Sequence, residues 1–442
     1  MNTYITTLGC PKNLVDTEAC VSILRNAGCT LTENPNKADL LIVSACSFLG
    51  MAWQETLEEV QRLAEIKVRV ASRKLVLMGC LPTHRKESLR DTLPMVDVFL
   101  PNGAHAQLPS IVDAWRRDRV VQQVTPPAGN DRFAGFEDRV LLTPRHTAYV
   151  KIAEGCSRRC SFCAIPQIRG KMVSRDPASI VREVCRLRER GVREISLLAQ
   201  DTTSYRAQGL RFPDLVSQIA ATGIDWLRIF YVHPGSLTTD LARRIFEHPE
   251  VCRYLEAPVQ HASNRILRRM QRPYTRDYLE KLFSGIRVEF PDVRIRSEVI
   301  VGFPGESEDD FCELKSFVES VEFSSLGIFA YSSEPNTRAA SLDGALPESL
   351  IAERVAELTD LRNSIAFGLR DAERGNRYRI LVDREHLDEG AHAEHRFAGR
   401  HYGQAFDVDG EVMLKGHDVQ VGQFVTARIT EADVFDLRGE IV

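Results

Sequence analysis

The chain has 442 residues, 43% of them hydrophobic and 27% charged, which is typical of a globular protein of two or three domains. Its apolar runs are too short to span a bilayer and its N-terminus lacks the pattern of a signal peptide, so we expect a cytoplasmic protein without a membrane partner. The formal net charge of −4 argues against a broad nucleic-acid surface and leaves only a local basic patch open.

The first segment, residues 1–118, alternates short apolar runs of strand type with amphipathic stretches of helical period. The predicted strands are residues 4–8, 40–44, 75–78 and 96–100, and the predicted helices are residues 13–26 and 53–69. This alternation predicts a small parallel sheet with helices on its faces. Paired prolines and a glycine in residues 119–143 predict a linker.

Three cysteines of the first segment share one local context. Cys10, Cys46 and Cys80 each lie just past a predicted strand. Because the C-terminal ends of parallel strands lie along one edge of a sheet, we expect the three thiols to converge. The interpretation we favour is an iron–sulfur site that leaves one iron open for another ligand. The alternatives are three buried structural thiols and a zinc site.

The second segment, residues 144–372, repeats the βα pattern. The predicted strands are residues 146–153, 194–199, 226–231, 253–257, 294–301 and 324–330. Six units predict a partial (β/α)6 barrel, with chemistry at the C-terminal ends of its strands.

The last segment, residues 373–442, changes to short β runs separated by turn residues. These runs are residues 377–382, 403–407, 411–415, 423–429 and 437–442. They predict a small antiparallel barrel of oligonucleotide-binding-like (OB-like) size.

The most informative motif is the CxxxCxxC run of Cys156, Cys160 and Cys163, directly after the first predicted barrel strand. A [4Fe–4S] cluster normally takes four cysteines, so three thiolates in one loop leave one iron with an open position. In a chain without an export signal, clustered cysteines are more often metal ligands than disulfides. The other five have no ligand spacing and are expected to be core thiols: Cys20, Cys29, Cys185, Cys252 and Cys312.

The CxxxCxxC run resembles the signature of the radical S-adenosylmethionine (SAM) enzymes, in which SAM fills the open iron position. Two three-cysteine sites and a C-terminal β module resemble the methylthiotransferase family over essentially the whole chain. The resemblance implies two [4Fe–4S] clusters, with the auxiliary one in the N-terminal α/β domain, a radical SAM core, and a C-terminal all-β TRAM domain that binds substrate. It also implies SAM as radical source and methyl donor, and a reductive electron donor of flavodoxin or ferredoxin type.

Members of this family insert a methylthio group into a C–H bond of a tRNA adenosine or of a ribosomal protein. Residues 8–16 read Leu-Gly-Cys-Pro-Lys-Asn-Leu-Val-Asp, and Pro11-Lys12 is similar to the ribosomal-protein branch, where the tRNA branch typically has Gln-Met. Residues 258–273 are also similar to that branch. Residues 375–442 carry eight Lys and Arg against thirteen Asp and Glu, a net charge of −5 that disfavours binding to phosphates.

The resemblance therefore implies methylthiolation of the β-carbon of an aspartate in ribosomal protein twelve of the small subunit, without a direct tRNA substrate. A tRNA adenosine methylthiotransferase is the nearest alternative. An iron–sulfur electron carrier would need no barrel or substrate module, and a nucleic-acid-binding protein fits only the last domain.

The resemblance also implies contacts to SAM, and no catalytic side chain beyond the cluster ligands. Gln200 and Asp201 end the second barrel strand, where the family holds the SAM amino group; a polar strand end is the alternative. Residues 296–306 resemble the family's fifth-strand SAM motif, where Gly302 allows close backbone approach. Glu298 stands in that motif where the family usually has Thr. Ser307 and the acids after it predict a helix start.

Overall fold

The computed structural model of the chain describes residues 1–46, 50–84, 89–121, 124–386 and 395–442. The first segment is a five-stranded parallel sheet of order β2-β1-β3-β4-β5 with helices on both faces. Its elements are β1 (Asn2–Thr7), α1 (Pro11–Asn26), β2 (Thr30–Leu31), β3 (Leu40–Ala45), α2 (Gly50–Lys67), β4 (Lys74–Gly79), α3 (Cys80–His84), α4 (Leu89–Thr92), β5 (Val98–Pro101) and α5 (Leu108–Arg116).

The central strand β3 shows why this sequence forms a sheet covered on both sides. All six of its residues are buried. Leu40 and Ile42 face the core formed with α1 and α5, whereas Leu41 and Val43 face the core formed with α2. Successive side chains of a strand point to opposite faces, so a continuous apolar run requires helices on both sides.

The second segment is an open six-stranded parallel sheet of order β15-β14-β13-β12-β9-β6, the predicted partial barrel. Its strands are β6 (Thr147–Lys151), β7 (Ala153–Glu154), β8 (Val173–Ser174), β9 (Glu194–Leu198), β10 (Arg206–Ala207), β11 (Leu210–Arg211), β12 (Trp226–Ile229), β13 (Val251–Glu256), β14 (Arg294–Val301) and β15 (Ser325–Ala330). Its helices are α6 (Ile165–Ile168), α7 (Pro177–Glu189), α8 (Phe212–Ala220), α9 (Thr239–Phe246), α10 (Asn264–Arg269), α11 (Arg276–Glu289), α12 (Glu308–Val321) and α13 (Glu348–Asp371). The short pairs β7–β8 and β10–β11 lie outside the main sheet.

Strand β14 sets the two sides of this barrel. Its burial alternates residue by residue, and Ile295, Val299 and Val301 join the core formed with the outer helices. Glu298, on the opposite face, lines the inner cavity. The helix predicted after this strand begins as expected: the Ser307 hydroxyl accepts the Asp310 N–H, and the Asp310 carboxylate accepts the Ser307 N–H.

The last segment is a closed five-stranded barrel of order β16-β17-β18-β20-β19. Its strands are β16 (Arg377–Glu385), β17 (His395–His401), β18 (Val412–Lys415), β19 (Phe424–Ala432) and β20 (Leu437–Ile441). The barrel was predicted to be antiparallel throughout, but β18 and β20 pair in parallel.

The strand predicted at residues 403–407 is wrong, and β17 was missed. The residues after β17 form a turn, in which the Gly403 N–H donates to His401 Nδ1 at 3.0 Å and the Ala405 N–H donates to the Asp409 carboxylate at 3.0 Å. The apolar residues Ala405 and Phe406 pack against the partial barrel of the second segment. Their hydrophobic pattern therefore reflects a contact between domains rather than a strand.

One apolar cluster holds the three segments together. It joins Val15 of α1 and Tyr149 of β6 to Leu381 of β16, and the Trp226 ring meets the Phe424 ring edge-on at 4.9 Å. Cys20, Cys29 and Cys252 are buried as predicted, but Cys312 is exposed and Cys185 only half-buried, so they are not core thiols. Across the described ranges, no helix is long and apolar enough to cross a membrane.

Candidate active site

The three cysteines of the first segment follow three neighbouring strands. Cys10 comes after β1, and Cys46 and Cys80 directly follow β3 and β4, which are adjacent in the sheet. All three line one cavity. The loop from β1 approaches Cys46 closely because Gly9 has no side chain: a Cβ there would lie 2.5 Å from the Cys46 Cβ, at a φ of +87°. The predicted convergence is therefore realised by the order of the strands.

The CxxxCxxC run forms a loop between β7 and α6. The Cys156 N–H donates to the Gly170 carbonyl at 3.0 Å, and the Cys163 N–H donates to the Cys160 carbonyl at 3.2 Å. Gly155 has a φ of +78°, and a Cβ there would lie 2.5 Å from the Lys171 carbonyl oxygen. The loop is thus folded tightly on the chain that follows it.

Both cysteine triads face the same cavity, which has a volume of about 290 Å³. Its walls come from the first segment and from the inner side of the barrel. They consist of Cys10, Lys12, Cys46, Cys80, Cys156, Arg158, Cys160, Phe162, Cys163, Ile165, Arg169, Gln200, Tyr231, Val232, His233, Pro234, Pro258, Gln260, Arg272 and Glu298. A site that joins six thiols to polar groups in one apolar-walled space is suited to metal clusters and a small ligand.

Arg169, a residue of the second segment, forms hydrogen bonds that link the first triad to the partial barrel. Its guanidinium donates to the Cys80 Sγ at 3.1 Å, to the Asn13 Oδ1 at 2.6 Å and to the Glu154 carboxylate at 2.7 Å. Lys151 of β6 donates to Glu154 at 2.7 Å and to Asp16 at 2.5 Å. Asn13 and Asp16 belong to the Pro-Lys-Asn-Leu-Val-Asp motif, so that motif holds the two domains together at the site.

Two arginines donate hydrogen bonds to cysteines of the second triad. Arg158 donates its backbone N–H to the Cys156 Sγ at 3.4 Å and its Nε to the Asp201 carboxylate at 2.7 Å. Arg272 donates to the Cys160 Sγ at 3.6 Å. N–H groups aimed at sulfur stabilise thiolates and the clusters they hold.

The thiols of the two triads differ in acidity. Burial alone would raise the pKa of Cys10, but the charges of Lys12 and Arg169 bring it below its usual value. Burial raises the pKa of Cys80, and it raises that of Cys163 to about 12. Cys10 is therefore disposed toward the thiolate form that binds metals, whereas Cys163 would have to lose its proton in order to bind one.

Each triad offers three thiols on the cavity wall, and thiolates are the ligands that iron–sulfur clusters take, so the residues present fit such a group. In the described parts of the chain, no group of three or more His, Cys, Asp or Glu is placed to hold a single metal ion.

Two of the four predicted SAM-binding residues, Gln200 and Glu298, line the cavity. Gln200 lines the cavity; its Nε2 donates to Glu154 at 3.3 Å, and its buried Oε1 has no partner in the protein. That orphaned acceptor fits an ammonium group of a ligand. Glu298 also lines the cavity, and burial raises its pKa.

Asp201 and Gly302 lie outside the cavity lining. The Asp201 carboxylate accepts bonds from Arg158, Ser204 and Thr203, so in this structure it orients Arg158. Gly302 donates its N–H to Glu306 at 2.9 Å, and its φ is +80°.

Sequence reasoning missed several cavity residues. Arg169 and Tyr231 carried no recognisable signal, because each depends on contacts between segments distant in sequence. Arg158 and Arg272 lie inside motifs identified in the sequence, and the position of Arg158 within the CxxxCxxC run is a signal for its role. Arg272 is far from any cysteine in the sequence, so only the fold brings it to Cys160.

Solved structures share the fold. The radical SAM methyltransferase TsrM from Kitasatospora setae, with tryptophan substrate and a SAM analogue bound, aligns with a TM-score of 0.56 at 13% identity, covering 82% of this chain and 89% of that one. The cobalamin-dependent SAM radical enzyme OxsB aligns with a TM-score of 0.51 at 11% identity, covering 82% and 56%. At such identities the likeness concerns the fold alone.

The fold and the site define the class: this is a radical SAM enzyme. Residues 150–318 match the model of the radical SAM superfamily, residues 375–442 match the TRAM domain, and residues 2–101 match an uncharacterized protein family, UPF0004.

Full-length relatives narrow the class. Proteins named ribosomal protein uS12 methylthiotransferase RimO are 38% identical in Sorangium cellulosum, covering 99% of this chain and 90% of the relative, and 37% identical in Desulforamulus reducens, covering 98% of each. The relative of that name in Geobacter sulfurreducens is 38% identical, covering 98% and 97%. The chain belongs to the methylthiotransferase family of these proteins.

Proposed function

We propose that this enzyme methylthiolates the β-carbon of an aspartate in ribosomal protein uS12. The observation that carries the proposal is the single cavity onto which both cysteine triads open. Radical formation and sulfur transfer must act on the same carbon, so a methylthiotransferase needs both sites within reach of one substrate. The names of the full-length relatives support uS12 as that substrate.

In this proposal each triad holds one [4Fe–4S] cluster: Cys156, Cys160 and Cys163 the radical SAM cluster, and the cysteines at the strand ends the auxiliary one. When bound, the clusters and SAM supply hydrogen-atom abstraction from the substrate carbon and a methylated sulfur to replace that hydrogen. The protein contributes soft thiolate ligands, three per cluster, and leaves one iron of each without a protein thiolate.

The remaining side chains bind and orient. Gln200 accepts the amino group of SAM through its orphaned Oε1. Arg158, held by Asp201 at 2.7 Å and by the Ser236 hydroxyl at 2.5 Å, presents a positive charge to the SAM carboxylate. Glu298, whose pKa burial raises, presents a carboxyl to the SAM ribose. Gly302 lets α13 approach the end of β14, since a Cβ there would lie 2.5 Å from the Ile351 side chain. The apolar walls exclude water from the radical chemistry.

The charge of the C-terminal barrel favours a protein substrate over tRNA. Some of its acids are used internally: Asp383 binds Arg400 at 2.7 Å, and Asp409 binds Arg296 of the barrel domain at 3.0 Å. Others are exposed, namely Glu385, Asp407, Asp418, Glu431 and Asp433. An acidic surface attracts a basic ribosomal protein and repels phosphates.

The proposal extends to the organisation of the chain. We retain residues 1–118, 144–372 and 373–442 as domains joined by the linker 119–143. A flavodoxin or ferredoxin is the proposed electron donor, and the cytoplasm, where ribosomal proteins reside, is the proposed location.

The test is mass spectrometry of products after anaerobic reconstitution with iron, sulfide, SAM and a reductant. A peptide of the uS12 loop that contains the target aspartate and, separately, bulk tRNA are offered to the enzyme. We expect a methylthio adduct on the aspartate and none on tRNA. An adduct on tRNA alone would show that the enzyme is a tRNA adenosine methylthiotransferase. SAM cleavage without either adduct would show that neither molecule is the substrate.

A further inference from the structure

Lys12 is a buried cation that faces the active-site cavity. The residue is only 7% exposed, and its Nζ lies 3.2 Å from the centroid of the Tyr231 ring. Among the residues that the structure describes, none forms an ion pair or a hydrogen bond with this ammonium. The Lys12 ammonium acts on Cys10 through its charge but without direct contact, so a carboxylate that arrives with a ligand at this wall of the cavity would form the direct ion pair that the protein does not supply.

The other cations of the cavity wall already have partners. Arg158 binds Asp201, Arg169 binds Glu154 and the Cys80 thiol, and Arg272 donates to the Cys160 thiol. Their charges are directed at the cysteines or at protein carboxylates. Within the described ranges, Lys12 is thus the cavity cation whose direct contact is an aromatic ring and not a hydrogen-bonded or ion-paired acid.

The position of Lys12 relates it to sulfur transfer. It is the second residue after Cys10 and lies in the first turn of α1, on the auxiliary side of the cavity. In an aspartate side chain, the carbon that would take the sulfur is bonded directly to the carboxylate carbon. When that carbon meets a sulfur at the auxiliary site, which Cys10, Cys46 and Cys80 would form, the carboxylate would lie beside these cysteines as well.

We propose that Lys12 binds the side-chain carboxylate of the target aspartate and thereby selects aspartate over its neutral analogue. This inference rests on the proposed function. The Tyr231 ring holds the ammonium in place through a cation–π contact, and the incoming carboxylate supplies a direct, hydrogen-bonded ion pair.

The surrounding carboxyls do not oppose an incoming anion strongly. Glu298 lines the cavity and Glu256 lies on the neighbouring strand β13. Burial and the proximity of Glu298 raise the pKa of Glu256 to about 8, and burial raises the pKa of Glu298. A raised pKa favours the protonated, uncharged form of a carboxyl, which repels an incoming anion less than a carboxylate does.

The test is a double-replacement binding experiment with the full-length, reconstituted enzyme. The dissociation constants of the uS12 loop peptide and of the same peptide with asparagine at the target position are measured for wild type, Lys12→Gln and Lys12→Arg. We expect wild type to bind the aspartate peptide at least about tenfold more tightly, as for a buried charge pair. Lys12→Gln should bind both peptides alike, and Lys12→Arg should keep part of the preference.

Several results would overturn this role. Wild type that binds the two peptides equally, or Lys12→Gln that keeps the full preference, would show that Lys12 does not contact the carboxylate. A Lys12→Gln enzyme with less bound iron, or with slower SAM cleavage without peptide, would assign Lys12 to a cluster or to SAM. The comparison of the aspartate and asparagine peptides uses the unchanged wild-type protein. Equal binding of the two peptides would therefore overturn the role of Lys12 even if a variant failed to fold.

The two levels of the proposal fail differently. If wild type neither binds nor modifies the aspartate peptide, the proposed function itself is rejected, and the role of Lys12 with it. If wild type modifies the peptide while the Lys12 variants keep the preference for aspartate, only the role of Lys12 is rejected.

Discussion

At the scale of single residues, the site is defined by which thiols open onto the cavity and which do not. Six of the eleven cysteines do so, and Cys312, which lies on the exposed face of α12, serves as a natural internal reference. The two triads are assigned different tasks, and this separation can be tested with single substitutions.

Replacing a cysteine of each triad should give different losses. We expect Cys156→Ala to abolish both SAM cleavage and product, because the open iron that would bind SAM is lost. Cys46→Ala should abolish the methylthio product but leave SAM cleavage. Mass spectrometry of 5′-deoxyadenosine and of the modified peptide measures both, with Cys312→Ala as the control that keeps both. Product from Cys46→Ala would refute the auxiliary assignment.

Arg169 is expected to stabilise the junction of the first domain with the barrel. Arg169→Gln leaves Glu154 and Asp16 buried with Lys151 as their remaining cation, and breaking a buried pair of this kind costs about 3–5 kcal/mol. Urea unfolding measures the loss. Arg159→Gln, an exposed arginine beside the same cysteine loop, should change the free energy of unfolding by less than about 0.5 kcal/mol. Equal effects of the two changes would contradict the network.

At the scale of elements, the cluster loop depends on the backbone that closes it. The CxxxCxxC spacing places three thiols in one loop, but the conformation requires Gly155 against the carbonyl groups of residues 169–171. The same segment supplies Arg169 to Cys80, so one loop contact serves both triads.

Gly155→Ala should therefore reduce the iron content from the proposed two clusters per chain toward one. The added Cβ would meet the Lys171 carbonyl oxygen at 2.5 Å, and the φ of +78° adds backbone strain of about 1–3 kcal/mol. Gly209→Ala is the matched control: its φ is +81°, but nothing lies within 4 Å of the new Cβ. Iron and sulfide analysis after reconstitution compares the two. Full iron content in Gly155→Ala would show that the loop tolerates another path.

At the scale of the whole molecule, buried ion pairs join the C-terminal barrel to the radical SAM core. Glu194 of β9 accepts hydrogen bonds from Arg400 of β17 at 2.7 Å and from Arg228 at 2.9 Å. His146 meets Asp383 of β16 at 2.8 Å. These contacts fix the C-terminal barrel to the radical SAM core.

This junction should weaken in acid. Burial alone would raise the pKa of Glu194, but Arg400 and Arg228 hold it at about 2, below its usual 4.5. The pair thus contributes stability, about 3 kcal/mol, that is complete above pH 4.5 and is lost as the pH falls toward 2. The difference in unfolding free energy between wild type and Glu194→Gln, measured by urea in the cluster-free protein, should shrink between pH 6 and pH 3. For the exposed Glu319→Gln we expect no such trend; a constant difference for Glu194→Gln would contradict the pKa.

The sequence by itself determined what depends on local pattern. The parallel sheet, the six βα units, the helix start at Ser307 and the two sets of cysteines all follow from periodicity, capping residues and position after strands. These signals are local, because a strand or a helix needs only its own residues to show which side is apolar.

Tertiary structure decided what depends on contacts between distant segments. It made β1, β3 and β4 neighbours, placed both triads on one cavity, and brought Arg169 to Cys80 and Lys12 to Tyr231. In the tertiary structure, residues 403–407 form a turn that packs against the partial barrel of the second segment, and Cys312 is exposed. Burial and the proximity of charges arise only when domains pack, so no local pattern contains them.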